Sequence, residues 1–513
     1  PGRPVTLAPL LTHTAGFDEH NVGIATAEPD RLPSLGDYLA THQPSRVRPP
    51  GTLASYSNYG LALAGHLVEE VTGTPFAEYV RTHLTGPLGM TRTTFAQPLP
   101  PEIEADLAVG HDADQEPVDG QYSPLSPAGG GAVATVTDLG RFMLAHLQGG
   151  ELDGARVLTA DTVALMHSRQ FGHDDRLPGM AYAFIERYRN GHRLLTHSGD
   201  NLGFHGNLAL LPDRRTGIYV VYNGDGVAGG AALAGQDLVD RFVDRFFPGR
   251  PSSSDGAEPD PARFAGTYRP TRVSHEDFTK VIALFSAVTV TADADGTLTT
   301  SGSLSLDGRE RRWRPVGPAL FEEVGGQERL AFAVADDGRV TAMFASTDPT
   351  VAYERLAWHS SPTLHLGLAG AALLVLAAAA VGAPLAAAWR AGVRRLIRRG
   401  PAVDRPGGPW PRLAALLGWC AAAPPVAFTL GLVALMSDPD ALFRTIVRGG
   451  SPALSAVLAL PLLAVVATAG ALAGAVAAWR RRWWSRWRRL RHATTALAAV
   501  TFLAVAACYQ LVP

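Results

Sequence analysis

Lysine is almost missing from this 513-residue chain: Lys280 is the only one, so arginine carries nearly all of the basic charge. Cysteine is nearly as scarce. Cys420 and Cys508 both lie in apolar stretches, which excludes a disulfide framework and a thiolate metal site. The net charge of −2 gives the molecule no general attraction to nucleic acid. No His-x-x-x-His helix pattern offers metal ligands. The acidic stretch HDADQEPVD (111–119) lacks the glycine and terminal glutamate of a calcium loop and reads as solvated surface. No metal and no organic cofactor is expected. No internal repeat of 20–50 residues stands out. The chain opens on Pro1 rather than Met, directly ahead of what reads as mid-domain sequence, and is expected to be a fragment or a processed product.

Long uncharged runs are present, and all are near the end. Stretches 364–388, 413–436, 452–479 and 493–512 are nearly free of charge, and each is about 20 residues or more, enough to cross roughly 30 Å of hydrocarbon. Arginines cluster after the first run (Arg390, Arg394, Arg395, Arg398, Arg399) and after the third (Arg480–Arg482, Arg486, Arg488, Arg489, Arg491). The positive-inside rule then makes both loops cytoplasmic and places everything before Leu364 outside. Trp479, Trp483, Trp484 and Trp487 suit an interfacial belt better than a nucleic-acid site. The runs contain no carboxylate or base to mark an ion path. A four-span anchor in a lipid bilayer (363–513) is expected, not a transporter. Pro424, Pro425 and Pro461 can kink the helices, and Gly470 and Gly474 form a small-residue packing face. An exported domain needs a leader, none begins at Pro1, and one is expected upstream.

Ahead of the spans, a Pro/Ser/Gly/Asp-rich linker (249–262) precedes a segment, 263–358, that reads as β structure. Val288 and Val290 alternate with threonines, and Asp295-Gly296, Asp307-Gly308 and Asp337-Gly338 supply hairpin turns. A small antiparallel barrel or sandwich is expected. Residues 1–248 are mixed α/β. Leu61, Ala64, Val68 and Val71 recur at helical spacing and Gly73 ends that helix; Thr74-Pro75 opens another, with Thr74 as its cap. Thr135 and Asp138 have the spacing of a capping box. RLLTHSG (193–199), GNLALLPD (206–213) and GIYVVYNG (217–224) read as three strands of an antiparallel meander.

Four stretches carry the chemistry, in this order: LLTHTAGF (10–17), YSNYG (56–60), PAGGGAVATVTDLGRFM (127–143) and HSGDNLGF (197–204). Each alone has a plain structural reading: a satisfied histidine at His13, a turn at 56–60, a glycine loop at 129–131, a strand-capping His197. Together they resemble the serine β-lactamase-like family, which includes class C β-lactamases, D-alanyl-D-alanine peptidases and related esterases. The resemblance spans about 1–248, and the β segment that follows resembles an accessory domain of such hydrolases. It implies an α/β (α+β) transpeptidase-like fold with an antiparallel sheet and a helical subdomain. It also implies acyl-enzyme hydrolysis of a small ester or peptide of a cell envelope; separately, the richness in Arg, Ala and Gly with almost no lysine points to a GC-rich bacterial genome.

By that resemblance, Tyr56 and Asn58 form the Tyr-x-Asn element and His197, Ser198 and Gly199 the H-x-G triplet, with Asp200 donating its backbone N–H to an oxyanion hole. Tyr56 would relay a proton if cations favoured its phenolate, His197 adding charge when protonated near pH 6.5. Asn58 would orient a lysine and the substrate amide. Histidine in place of a triplet lysine favours the esterase and peptidase branch over antibiotic hydrolysis. The third element, Ser-x-x-Lys, cannot be placed: the residue three before Lys280 is Asp277. The nucleophile is expected upstream of Pro1, and the chain as given is expected to be inactive, with a bared sheet edge prone to aggregation. Ser123 and Ser126 lie in a Pro-rich loop and are not substitutes. The competing reading is a catalytically dead, membrane-tethered module that binds a peptide-like ligand.

Overall fold

The computed structural model describes residues 3–118, 122–128, 131–249, 260–302, 304, 309–396 and 408–512. Most of the linker, Gly129 and Gly130, the Asp307-Gly308 turn, and Arg398 and Arg399 lie outside the described residues. The chain divides into two units. The first holds Pro1–His20, Ile24–Val273 and Phe285–Leu356; the second holds Asn21–Gly23, Ser274–Leu284 and Ala357–Pro513.

Within the first unit, a four-stranded antiparallel sheet runs in simple order: β1 (Ile185–Arg189), β2 (His192–Asn201), β3 (Phe204–Leu211) and β4 (Thr216–Tyr222). Side-chain alternation buries both faces. Leu194, Ala209 and Leu211 meet Val239 and Val243 of the helix Ala231–Phe246. Leu195, Leu208 and Leu210 meet Met143 and Phe184 on the other side. The meander expected over β2–β4 is present. β1 is an addition, because IERYR shows no apolar alternation. Its Glu186 is 1% exposed and is held there by Arg169 at 2.7 Å, Arg193 at 2.6 Å and the Gly179 N–H at 2.9 Å. A carboxylate so buried is tolerable only with this much pairing.

The helix expected around 61–71 spans Asn58–Thr72. Ser57 Oγ accepts the Gly60 N–H at its start, and Gly73 closes it at φ 67°. Val71, expected on the apolar face, is 85% exposed. Thr74 does not cap the next helix, Phe76–Val80; Glu69 Oε1 accepts the Phe76 N–H instead, at 2.9 Å. Thr135 does cap the helix Val136–Leu147 by accepting the Asp138 N–H. The Asp138 carboxylate does not reach back to complete the box. It accepts from the Arg92 N–H and the Thr93 hydroxyl, each at 2.8 Å, and so ties that loop to the helix.

The β segment is a closed eight-stranded barrel: β5 (Gly266–Pro270), β6 (Val288–Ala292), β7 (Leu298–Gly302), β8 (Arg311–Gly317), β9 (Leu320–Glu323), β10 (Arg329–Val334), β11 (Val340–Ala345) and β12 (Ala352–Arg355). Consecutive strands pair antiparallel, and β12 closes on β5 through Glu354 opposite Arg269. Gly296 and Gly338 turn two hairpins at φ 81° and 80°. Fully buried Trp313, Tyr268, Phe264 and Phe321 fill the interior, the Trp313 indole N–H donating to Thr300.

In the second unit, four helices are long and apolar enough to cross a membrane: Pro362–Gly382, within a longer helix to Leu396, then Pro409–Leu435, Pro452–Arg480 and Arg486–Cys508. A Cβ on Gly470 would meet Leu417 at 2.7 Å, and one on Gly474 would meet Ala414 at 2.8 Å, so both glycines are close-packing positions. Segment 274–284, read from the sequence as part of the β domain, clusters with these helices and carries Lys280.

The pair His146 and His167 adds to the acid sensitivity of the first unit. His146, 5% exposed, lies with its Nδ1 3.1 Å from His167 Nε2. Burial, then the charge of His167, pushes the His146 pKa down to about 4. The unfolded chain therefore takes up a proton near pH 6.5 that the fold refuses, and stability falls as pH drops from 6.5 towards 4. By pH 5 the expected loss is about 2 kcal/mol. Thermal melts at pH 7 and pH 5 test it: His146→Phe should lose visibly less than the wild type on acidification, and equal losses would exclude this pair as the cause.

Candidate active site

Two loops hold Tyr56 in place. His13 adopts a left-handed backbone at φ 54°, its carbonyl accepts the Ser55 N–H at 2.8 Å, and its Nδ1 accepts the Ser57 N–H at 3.1 Å. Gly16 accepts the N–H groups of Val47 and Arg48 from the neighbouring loop; a Cβ at Gly16 (φ 81°) would strike the Arg48 carbonyl oxygen at 2.2 Å, so this approach requires glycine. LLTHTAGF is thus the clamp that sets the Tyr-x-Asn turn. The Tyr-x-Asn stretch is also a helix start: Ser57 is the cap, Asn58 the first helical residue, and Tyr56 stands just outside.

The Tyr56 ring is covered on both faces. His13 stacks on it at 4.1 Å between centroids and 25° between planes. The Arg272 guanidinium lies 4.7 Å from the ring centroid, cation–π geometry, and is held by Glu19 at 3.3 Å. Arg272 was not legible in the sequence as a site residue, since nothing in GTYRPTR marks it. It follows β5 in the barrel segment, and the barrel docks on the Tyr56 loop. The Thr271 hydroxyl donates to the Ala54 carbonyl at 2.6 Å, Ser55 bridges Val351, and buried Arg48 pairs with Glu354 at 2.7 Å.

His197, on β2, faces this stack, its ring centroid 6.3 Å from that of Tyr56. Its Nδ1–H donates to the Ser198 carbonyl at 2.6 Å, which leaves Nε2 as an acceptor. Ser198, Gly199 and Asp200 are exposed along the strand. A Cβ on Gly199 would meet nothing within 4 Å, so the surface beside the triplet is open. The expected residues Tyr56, His197 and Asp200 therefore come together, with Asn58 at the adjoining helix start.

The electrostatics differ from expectation in two ways. Burial lowers the pKa of His197, with the Ser198 carbonyl and Asp200 opposing, so this imidazole is neutral at pH 7. Burial also raises the pKa of Tyr56. Arg272 works against that rise, while Glu19, Asp200 and Asp348 add to it. The phenol is thus protonated at neutral pH, and among the described residues Arg272 is the cation working to lower its pKa. His13, pushed down to about 3 by burial and then by His197 and Arg272, is neutral too. With Nδ1 accepting, its Nε2 carries the proton, and that buried Nε2–H has no partner among the described residues. Among the described residues no group of three or more His, Cys, Asp or Glu is arranged to hold a metal ion. The arrangement offers a polarised phenol, one imidazole acceptor and one fixed cation around an open strand edge.

Residues 1–240 match the family model described as Beta-lactamase. Penicillin-binding protein 4 of Amycolatopsis lactamdurans is 28% identical over 252 residues, 48% of this chain and 63% of that protein. The D-alanyl-D-alanine-carboxypeptidase/endopeptidase AmpH of Escherichia coli K12 is 24% identical over 233 residues, 43% of this chain and 58% of that one. The chain spans less than two thirds of the length of either relative. Among solved structures, the octameric penicillin-binding protein homologue from Pyrococcus abyssi aligns at 18% identity and a TM-score of 0.41, covering 69% of this chain and 79% of that one.

Proposed function

Since residues 1–240 belong to the serine β-lactamase-like family, we propose that they form the body of a hydrolase site for a small peptide or ester, peptides ending in a D-amino acid above all. The protein is multi-pass, with the four apolar helices as its anchor and the hydrolase region on the extracellular side. The observation that carries the reading is the His13–Tyr56–Arg272 stack facing His197 across an open strand edge.

In this reading Tyr56 takes the proton of an attacking serine and returns one to the leaving group, so both transfers pass through one oxygen. Arg272 favours the phenolate at the moment of transfer. The His197 Nε2 accepts a hydrogen bond from substrate, and the Asp200 N–H meets the oxyanion. The serine and lysine of the acyl-enzyme step are not in this sequence, and the 513-residue chain by itself binds substrate without turning it over. A second reading is a ligand-binding module that keeps a hydrolase's walls.

Calorimetry with acetyl-D-Ala-D-Ala and its L,L isomer tests the shared core of both readings. The full chain in detergent should bind the D,D peptide at least tenfold more tightly, a difference of about 1.4 kcal/mol. Equal or undetectable binding of both would sink the assignment of the site.

A further inference from the structure

The residue after the His197–Gly199 triplet is an acid, which is the wrong charge for its position. The Asp200 N–H is the proposed oxyanion donor, yet its carboxylate is one side chain away from where negative charge gathers and where a peptide's terminal carboxylate would sit. Asp200 pairs across the ladder with His205 on β3, whose Nδ1 lies 2.7 Å from Asp200 Oδ1. The other ring nitrogen, Nε2, lies 2.9 Å from Asp225 Oδ1. That same oxygen accepts the Gly203 N–H, at 2.9 Å, in the β2–β3 turn.

A neutral imidazole has one N–H and one lone pair. Between two carboxylates it would aim that lone pair at one of them. Only the imidazolium satisfies both. We propose that His205 is a positioning residue that neutralises Asp200 and ties its carboxylate back along the β2–β3 hairpin, so that the Asp200 N–H faces an anionic oxygen without competition from its own side chain.

The exposures say which acid needs restraint. Asp225 and His205 are each 13% exposed in their side chains, whereas Asp200 is 48% exposed. Asp225 is fixed by its surroundings, while Asp200 has room to swing. Burial lowers the His205 pKa, but the hydrogen bonds and charges of Asp200 and Asp225 outweigh it and the net direction is up. Among the described residues, the titratable groups on the elements packed here include Tyr222, opposite His205 on β4, Tyr219 on the same strand, His197 on β2, and His111, whose carbonyl accepts the Asp225 N–H.

The inference rests on the site reading above, and a double-mutant cycle in the full chain separates the two. The readout is acetyl-D-Ala-D-Ala binding at pH 7. His205→Gln should weaken it about tenfold or more, because a freed carboxylate now opposes the ligand. Asp200→Asn is the reference arm of the cycle, whatever its own affinity. The double variant should bind within about threefold of Asp200→Asn, since the acid that had to be restrained is gone. A double variant that falls below Asp200→Asn by as much as His205→Gln falls below the wild type would make His205 a structural prop and overturn the proposal, as would unchanged binding by His205→Gln. Histidine-selective NMR gives a readout that needs no ligand: one ring, missing in His205→Gln, should titrate above pH 6.5 and move lower in Asp200→Asn. Titration below 6.5 overturns the clasp even if no peptide binds, while absent binding with the high titration intact faults only the site reading.

Discussion

Tyr56→Phe should lower kcat by about two orders of magnitude or more once the chain is joined to a segment that carries Ser-x-x-Lys, with little change in melting temperature. The size is that of a lost general acid–base group. Stability should be spared because phenylalanine keeps what the ring does for the fold: the stack on His13 at 4.1 Å and the face presented to Arg272 at 4.7 Å. Only the hydroxyl goes. The direction of the pKa argument also matters. Burial holds the phenol protonated, so Tyr56 is a poor standing base and must acquire the serine proton while nearby cations stabilise the charge that forms. Arg272 is one such cation, and the lysine of the added segment is the other. The measurement is ester hydrolysis by wild-type and variant chains, with a melt of each. Turnover retained by Tyr56→Phe would remove Tyr56 from the relay and leave it as packing.

Local chemistry was legible in the sequence, and long-range contact was not. The cap at Thr135 and the stop at Gly73 follow from residue type at fixed spacing, as do the glycine hairpins of the barrel and the apolar spans. The Tyr-x-Asn and H-x-G elements could be paired only through the order of four stretches and the family they resemble. Arg272 could not be found this way. Its neighbour Thr271 bonds Ala54 from 217 positions away, and the docking depends on barrel closure between β12 and β5, which no local pattern encodes. β1 was missed for a different reason. Its buried residue, Glu186, is charged, and its burial depends on Arg169 and Arg193 from other elements. That burial holds the His197 pKa below its solution value is a property of the assembled site; a histidine in a sequence carries only its solution pKa.

Arg272→Gln is expected to weaken acetyl-D-Ala-D-Ala by about tenfold to a hundredfold, the range of one charge-assisted hydrogen bond, while barely affecting the peptide's C-terminal amide. With His197 and His13 both neutral at pH 7, Arg272 is the fixed positive charge against the Tyr56 ring. It is positioned but not consumed by its pairing: Glu19 holds it at 3.3 Å, and 39% of its side chain remains open to solvent. A terminal carboxylate can therefore share the guanidinium without displacing Glu19, whereas an amide gains nothing from the charge. Arg272→Lys should fall between the two, because an ammonium keeps the charge and loses the planar fork. If acid and amide weaken together, Arg272 serves to hold the Tyr56 loop against the barrel, and selection for a free terminus must be sought elsewhere on the β2 edge. If only the acid weakens, the barrel segment supplies part of the specificity of the proposed site, and the barrel and hydrolase segments have to be docked before a ligand can be read.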